Sequence, residues 1–160
     1  LPRIPYELFK RILAFFRYYT EQEHPLEVMV QIYWDSLKKR FLVVVPYQHV
    51  SGVEVRVPEE QPGQLDEERF YYYADVHSHN IMPAFFSEQD NRDELATRLY
   101  IVVGRLQRPS PEIRARISNG GKFLEIPLED VVEVSQAEFP EYWTASVAPW
   151  FTANRKGNAL

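Results

Sequence analysis

The feature that most constrains the fold is a single amphipathic helix followed by a series of short β-type segments. Apolar residues recur at helical spacing from Leu8 to Phe16, and His24-Pro25 ends the helix because the residue before a proline is disfavoured in the helical region. Short runs rich in Val, Ile and aromatic residues then follow at residues 27–34, 40–45, 50–57, 70–76, 100–103, 113–118 and 122–126. Runs of this length predict strands.

Two further segments complete the predicted order. Residues 87–99 indicate a second helix that Ser87 opens, and residues 128–134 indicate a final strand or edge segment. Helices interspersed with strands in this order predict an α/β (α+β) fold, in which helices flank one twisted sheet of mixed strand direction.

The length of 160 residues fits one domain. We expect this domain to occupy residues 1–135, with residues 136–160 forming an aromatic-containing tail around Trp143, Trp150 and Phe151. The tail could dock on the domain, bind a partner or belong to a longer protein. Because the first residue is Leu1 rather than Met, we expect a fragment or a processed chain.

Composition excludes several classes of function. The absence of cysteine rules out disulfides, thiolate zinc sites, iron–sulfur clusters and cysteine nucleophiles. A net charge of −5 without a long basic run argues against a nucleic-acid partner. The longest apolar run, residues 41–46, is too short to span a membrane, and no signal-peptide pattern is present. We expect a cytoplasmic protein that binds neither nucleic acid nor membrane.

Candidate metal ligands lie at the end of the predicted strand at residues 70–76. His77 and His79 are two residues apart, so their side chains project from the same face and can offer two imidazoles to one metal ion. Asp90 follows in the first turn of the next predicted helix and could supply an oxygen ligand. Three protein ligands with an open fourth position are typical of a catalytic zinc site. Asp75 shares the face of His77 and could orient an imidazole.

Plainer interpretations also fit these residues. A His-x-His pair can be an ordinary surface feature, and Ser87 with Asp90 can be a capping box at a helix N-terminus. Other His-x-His classes fit poorly. Metallo-β-lactamases need an Asp-His where Ile81 and Met82 stand. Nucleotidyl hydrolases with the pattern His-x-His-x-His need a third histidine at the position that Ile81 occupies. Amidohydrolase barrels and polymerase-type phosphoesterases need more histidines and a longer chain.

The full pattern, His77-x-His79, seven residues and then Ser87-x-x-Asp90, resembles the signature of the JAMM/MPN-type zinc metallopeptidases. That family also has a glutamate in a strand after its first helix, where Glu27 stands here. The order of elements is similar over roughly residues 5–134. Residues 80–87 look most like the bacterial PRTRC-system protein A branch. The resemblance implies the cytidine-deaminase-like MPN/JAMM fold.

The resemblance also implies a set of roles. His77, His79 and Asp90 would hold Zn²⁺, Glu27 would be the general base, and Ser87 would donate a hydrogen bond to the oxyanion. The expected activity is a peptidase or isopeptidase that hydrolyses an amide bond in a protein or peptide substrate, with ubiquitin-like proteins among the candidates.

Two departures from the family pattern bear on the substrate. Asn80 replaces a proline that many members have after the second histidine, and Val28, Met29 and Val30 stand where many have a glycine. Two alternatives remain open: a non-catalytic MPN-like scaffold that recruits partners through its aromatic tail, and a zinc amidase acting on a small conjugate of a carrier protein.

Overall fold

A computed structural model describes residues 2–59, 61, 63, 65–134 and 140–148. The chain begins with helix α1, Tyr6–Thr20. The strands and the second helix then follow in the order β1 (Met29–Asp35), β2 (Arg40–Val44), β3 (His49–Val50), β4 (Val55–Arg56), β5 (Phe70–Ser78), α2 (Glu88–Asp93), β6 (Arg98–Gly104), β7 (Glu112–Asn119) and β8 (Lys122–Ile126).

Six of the strands form one sheet in the order β2-β1-β5-β6-β7-β8, and β3 pairs only with β4. Strands β5 and β6 are parallel, whereas the other neighbours in the large sheet are antiparallel. A parallel neighbour needs a crossover connection, and the β5–β6 crossover contains α2. The expected mixed sheet flanked by helices is confirmed.

One face of the sheet packs against α1. The helix buries Phe9, Ile12 and Phe16, which meet alternate residues of the central strands, such as Val76 and Ile101. Because a strand turns successive side chains to opposite faces, the intervening residues point to the other face. The main apolar cluster therefore lies on the α1 side, although Tyr100 and Val102 are buried on the other face.

A β-bulge changes this alternation in β5. The register of β1 against β5 shifts between Ile32, which pairs with Ala74, and Tyr33, which pairs with Tyr72. The extra residue in β5 is Tyr73, which packs against the core, while Tyr72 lines the opposite face together with Asp75 and His77. The bulge thus places Tyr72 on the polar face of the sheet, where strict alternation would have placed Tyr73.

Three expected elements differ from the structure. Residues 50–57 form two short strands instead of one, because Ser51 closes a turn through a hydrogen bond from its N–H to the Glu54 carbonyl. The second helix ends at Asp93 instead of residue 99. Residues 128–134 form a 3₁₀ turn, Leu128–Asp130, and a single bridge between Ile4 and Val132 instead of a strand.

In the tail, the structure describes a 3₁₀ helix at Glu141–Ser146, where Trp143 is 58% exposed. Trp150 and Phe151 lie outside the described residues, and the division at residue 135 stays a prediction. Among the described residues, no helix combines the length and apolar character that crossing a membrane requires.

Candidate metal centre

The two histidines lie where β5 ends between its neighbours. His77 pairs with Met29 of β1 and Val102 of β6, and the N–H of His79 donates to the Val103 carbonyl at 2.8 Å. Both side chains are buried, at 8% and 4% exposure. Their Nε2 atoms are 3.2 Å apart, so the predicted projection from one face is what the structure shows.

Asp90 reaches the histidines from α2. Ser87 caps this helix: its hydroxyl accepts the Asp90 N–H at 3.1 Å, and the Ser87 N–H donates to Asp90 Oδ2 at 2.6 Å. Asp90 Oδ1 lies 3.5 Å from His77 Nε2, and Oδ2 lies 4.0 Å from His79 Nε2. The capping box therefore holds the carboxylate in front of both imidazoles.

The donor set fits a zinc ion. One ligand atom from each of His77, His79 and Asp90 lies within 4.8 Å of the other two. With zinc bonds of about 2.0–2.2 Å, tetrahedral ligands are separated by about 3.3–3.5 Å. The distances of 3.2 Å between the imidazoles and 3.5 Å from His77 to the carboxylate are close to those values. Two imidazoles and one carboxylate leave a fourth position open.

The electrostatics favour neutral imidazoles. Burial lowers the pKa of His77 to about 4, although the Asp90 carboxylate acts in the opposite direction. Burial likewise lowers the pKa of His79, again opposed by Asp90. A metal ligand must offer an unprotonated ring nitrogen, and both rings are in that form at neutral pH.

Glu27 lies two residues before β1 and lines a cavity that the two histidines also line. Its N–H donates to the Ser51 carbonyl, and its side chain is 4% exposed. Burial raises the pKa of the Glu27 carboxyl to about 8, and the nearby carboxylates of Asp90 and Glu54 add to this effect. A bound divalent cation would act in the opposite direction by favouring the charged form.

One cavity of about 800 Å³ is lined by all five residues that the sequence analysis singled out, namely Glu27, His77, His79, Ser87 and Asp90. A neighbouring cavity of about 630 Å³ shares three lining residues with it: Gln31, Tyr72 and Arg98. The two cavities therefore adjoin along the polar face of the sheet, and the histidines line the larger one.

Asp75 has a different role from the one expected. It shares the histidine face, but its carboxylate accepts a hydrogen bond from the Tyr72 hydroxyl and lies 3.3 Å from Arg98 Nη1. Arg98 also stacks over the Tyr72 ring at 3.6 Å. Asp75 therefore holds the boundary between the two cavities, and the structure shows no hydrogen bond from it to a histidine.

Other side chains that support the site were missed by sequence reasoning. Ser78, between the two histidines, points into the core, where its hydroxyl accepts the N–H of Val28 at 3.0 Å and so fixes the residue next to Glu27. Arg116 of β7 binds Glu94 just after α2. The alternating sequence of β7 indicates that Arg116 lies on a strand, but it does not distinguish Arg116 from Arg114, which alternates in the same way and is exposed.

The loop after His79 passes close to the end of β6. A Cβ atom on Gly104 would lie 2.4 Å from the backbone of Met82 and of Ala84. Only glycine allows this approach. Hydrogen bonds from the N–H groups of Arg105 and Leu106 to the carbonyls of Met82 and Asn80 then fix the loop.

Comparison with known proteins assigns the family. The chain matches Prok-JAB, described as prokaryotic homologs of the JAB domain, over residues 9–117, which is more than half of its length. The chain therefore belongs to this family, and the resemblance to the JAMM/MPN proteins is confirmed at that level. The PRTRC branch is not confirmed.

One solved structure similar to the chain is the solution structure of protein DSY2949 from Desulfitobacterium hafniense. The match has 15% sequence identity and a TM-score of 0.48, and it covers 78% of this chain and 88% of the other. No curated protein sequence matches the chain significantly.

Proposed function

We propose that the protein is a zinc-dependent peptidase or isopeptidase that hydrolyses an amide bond in a polypeptide substrate. The JAB family includes hydrolases, and this chain retains a His-His-Asp cluster. The observation that carries the proposal is the convergence of Glu27, His77, His79, Ser87 and Asp90 on one cavity. A ligand cluster on the surface would not need a buried carboxylate beside it.

His77, His79 and Asp90 would hold the ion, which when bound makes water acidic enough to ionise near neutral pH and polarises a carbonyl. The Glu27 carboxylate takes a proton from the attacking water and delivers it to the leaving amine nitrogen. The Glu27 carboxyl is buried with its pKa raised to about 8, and a bound cation would favour its charged form, which is the form that accepts the proton. Ser87 keeps its hydroxyl proton while its oxygen accepts the Asp90 N–H, so it can donate to the oxyanion.

The size of the two adjoining cavities supports a polymeric substrate. The two adjoining cavities extend well beyond the space that a single amide group fills. A polypeptide chain could pass the histidines and continue over Tyr72 into the second cavity. Ubiquitin-like proteins remain among the candidate substrates, and a cytoplasmic location without nucleic-acid or membrane binding stays a prediction.

The test uses Glu27→Gln in the purified chain loaded with one equivalent of zinc. We expect unchanged zinc content and a ~10²–10⁴-fold loss of hydrolysis across a panel of peptide-linked and lysine-isopeptide-linked substrates. Glu88→Gln, which removes an exposed carboxylate from α2, is the matched control and should keep full activity. Normal hydrolysis by Glu27→Gln would show that the base is another group.

A non-catalytic scaffold is the second candidate, because the described tail exposes apolar and aromatic side chains. Tyr142 is 72% exposed and Val147 is 74% exposed. A scaffold would need the tail and would not need the metal. If a His77→Ala/His79→Ala variant restores the phenotype of a deletion strain while a tail variant does not, the scaffold replaces the enzyme as the best account.

A further inference from the structure

Helix α2 carries Ser87 and Asp90 to the site, yet it has little packing of its own. It is six residues long, and none of its residues is buried. A helix this short is not stable alone. The capping box fixes Asp90 relative to Ser87, but it does not fix the helix relative to the sheet that carries His77 and His79.

Arg116 on β7 makes that second connection. Its Nε donates to Glu94 Oε2 at 2.8 Å, and Nη2 lies 2.6 Å from the same oxygen. Its Nη1 donates to Asn91 Oδ1 at 2.6 Å. Asn91 and Glu94 lie on either side of the C-terminal turn of α2, so a single guanidinium holds that turn at two points.

Two aromatic rings hold the guanidinium itself. Phe86 and Phe123 lie on it, each with its ring centroid 3.9 Å from the central carbon. Phe86 directly precedes Ser87, so Arg116 also contacts the chain where α2 begins. The Arg116 side chain is 4% exposed. Arg116 therefore touches the segments before and after Asp90.

The route from Arg116 to the ligand is short. The N–H of Glu94, whose carboxylate binds Arg116, donates to the Asp90 carbonyl at 2.8 Å. The N–H of Asn91 donates to the Ser87 carbonyl at 3.0 Å. A shift of Glu94 or Asn91 would therefore move the backbone of Asp90 or of its capping residue.

We propose that Arg116 is a positioning residue for the metal centre, which sets the place of Asp90 relative to His77 and His79 through α2. This inference rests on the proposed function only in that it takes these three residues as the metal ligands. Arg116, which is not itself a ligand, would then contribute to the affinity for the metal.

Arg114 provides the matched control. It lies on the same face of β7, two residues from Arg116, and its Nη2 lies 2.7 Å from Glu125. That pair is exposed, with 46% and 57% of the two side chains accessible, and it does not touch α2. Replacing Arg114 therefore removes the same charge and the same strand propensity without altering the anchor.

The experiment measures the affinity of the full chain for Zn²⁺ by competition with a chromogenic chelator. Arg116→Met should weaken binding by ~10–100-fold, the range for residues that orient metal ligands. Arg114→Met should bind as the wild type does. Arg116→Lys should recover little of the loss, since an ammonium cannot supply the planar fork. Wild-type affinity in Arg116→Met would overturn the inference.

A double-mutant cycle separates positioning from general damage. In an Asp90→Asn background, Arg116→Met should cost much less zinc affinity than it does in the wild type, because its route to the metal is already impaired. The Co²⁺ absorption spectrum of Arg116→Met should shift toward that of Asp90→Asn. An equal loss in both backgrounds would overturn the inference.

Arg116→Met leaves the buried Glu94 without its partner, and this variant could fail to fold. Asn91→Ala then decides, because Asn91 is exposed and its replacement leaves the buried Arg116–Glu94 pair intact. A weaker zinc affinity at an unchanged Tm supports the inference, and an unchanged affinity overturns it. A wild-type chain that binds neither Zn²⁺ nor Co²⁺ would instead refute the proposed function.

Discussion

The two helices lie on opposite faces of one sheet and are held there by different forces. Helix α1 buries Phe9, Ile12 and Phe16 in the apolar core. Helix α2 buries none of its residues: a capping box fixes its N-terminus, and hydrogen bonds from Arg116 to Glu94 and Asn91 connect it to the sheet. Apolar packing is non-directional and tolerates small shifts in position, whereas hydrogen bonds and ion pairs depend on direction and distance. On the α2 face, where the Asp90 carboxylate lies within a few ångströms of two imidazoles, the helix is held by directional polar contacts.

The largest effect is expected on the α1 face. Phe16→Ala removes a fully buried ring from the core, and we expect a loss of about 3–5 kcal/mol in the free energy of unfolding. Chemical denaturation with linear extrapolation measures it. Tyr18→Ala, on the same helix but 62% exposed, should change that free energy by no more than about 0.5 kcal/mol. Equal effects would contradict the placement of the main apolar cluster on the α1 side.

A smaller effect is expected where the two faces meet. Ser78→Ala leaves the buried N–H of Val28 without its acceptor, and we expect a loss of about 1–3 kcal/mol in stability. Zinc affinity should remain, because the Ser78 side chain points away from the histidines. Ser118→Ala is the control: its hydroxyl is equally buried but has no hydrogen-bond partner in the described part of the chain, so its loss should be close to neutral.

On the α2 face, Ser87→Ala should act locally. Loss of the cap costs about 1 kcal/mol of helix stability, which should appear as faster amide exchange in α2 with no change in α1. Ser87→Thr keeps an acceptor for the Asp90 N–H and should restore the protection. Unchanged exchange in α2 would show that Arg116 alone is sufficient to hold the helix.

The smallest effect depends on pH and lies away from both helices. Arg69, together with the N–H groups of Lys38 and Leu37, holds the pKa of the Asp35 carboxyl below its usual range. A carboxyl whose pKa is lower in the folded state than in the unfolded state stabilises the protein fully only above the unfolded pKa of about 3.9. This contribution to stability is lost as the pH falls through the acid range toward the folded pKa.

Asp35→Asn keeps an acceptor for the two turn N–H groups but removes the charge and the oxygen that accepts from Arg69 Nη2. The variant should therefore be less stable than the wild type at neutral pH, and the difference should shrink as the pH approaches 3. Thermal unfolding across this range measures it. A difference that does not depend on pH would contradict the assigned ion pair.

Local periodicity explains how much of the fold is predictable from sequence. Helix α1 and the strands β1, β5, β6 and β7 follow from apolar spacing, because each buries a stripe or a face, whereas the predicted strands β2 and β8, at the edges of the sheet, contain no fully buried residue. The early end of α2 does not follow, since residues 94–99 have no proline or glycine to break a helix. There, Glu94 turns into the structure to bind Arg116, which lies 22 residues further along the chain.

The candidate site could also be predicted from local sequence, but only in part. His77, His79 and Asp90 lie close in sequence, and the spacing of the motif places them together. Glu27 came from the family resemblance alone, because an isolated glutamate before a strand gives no local signal. Arg116 could not be chosen over Arg114, since only tertiary contacts distinguish them: Arg116 is packed against Phe86 and Phe123 and bonded to Glu94 and Asn91, whereas Arg114 is exposed.

The zinc content of the purified chain tests the central claim most directly. We predict about one equivalent of zinc per wild-type chain, measured by elemental analysis after purification without chelators, and almost none in His77→Ala/His79→Ala. The control His24→Ala/His49→Ala removes the other two histidines and should retain the metal. A wild-type chain without bound zinc, or zinc retained when the pair is removed, would contradict the account.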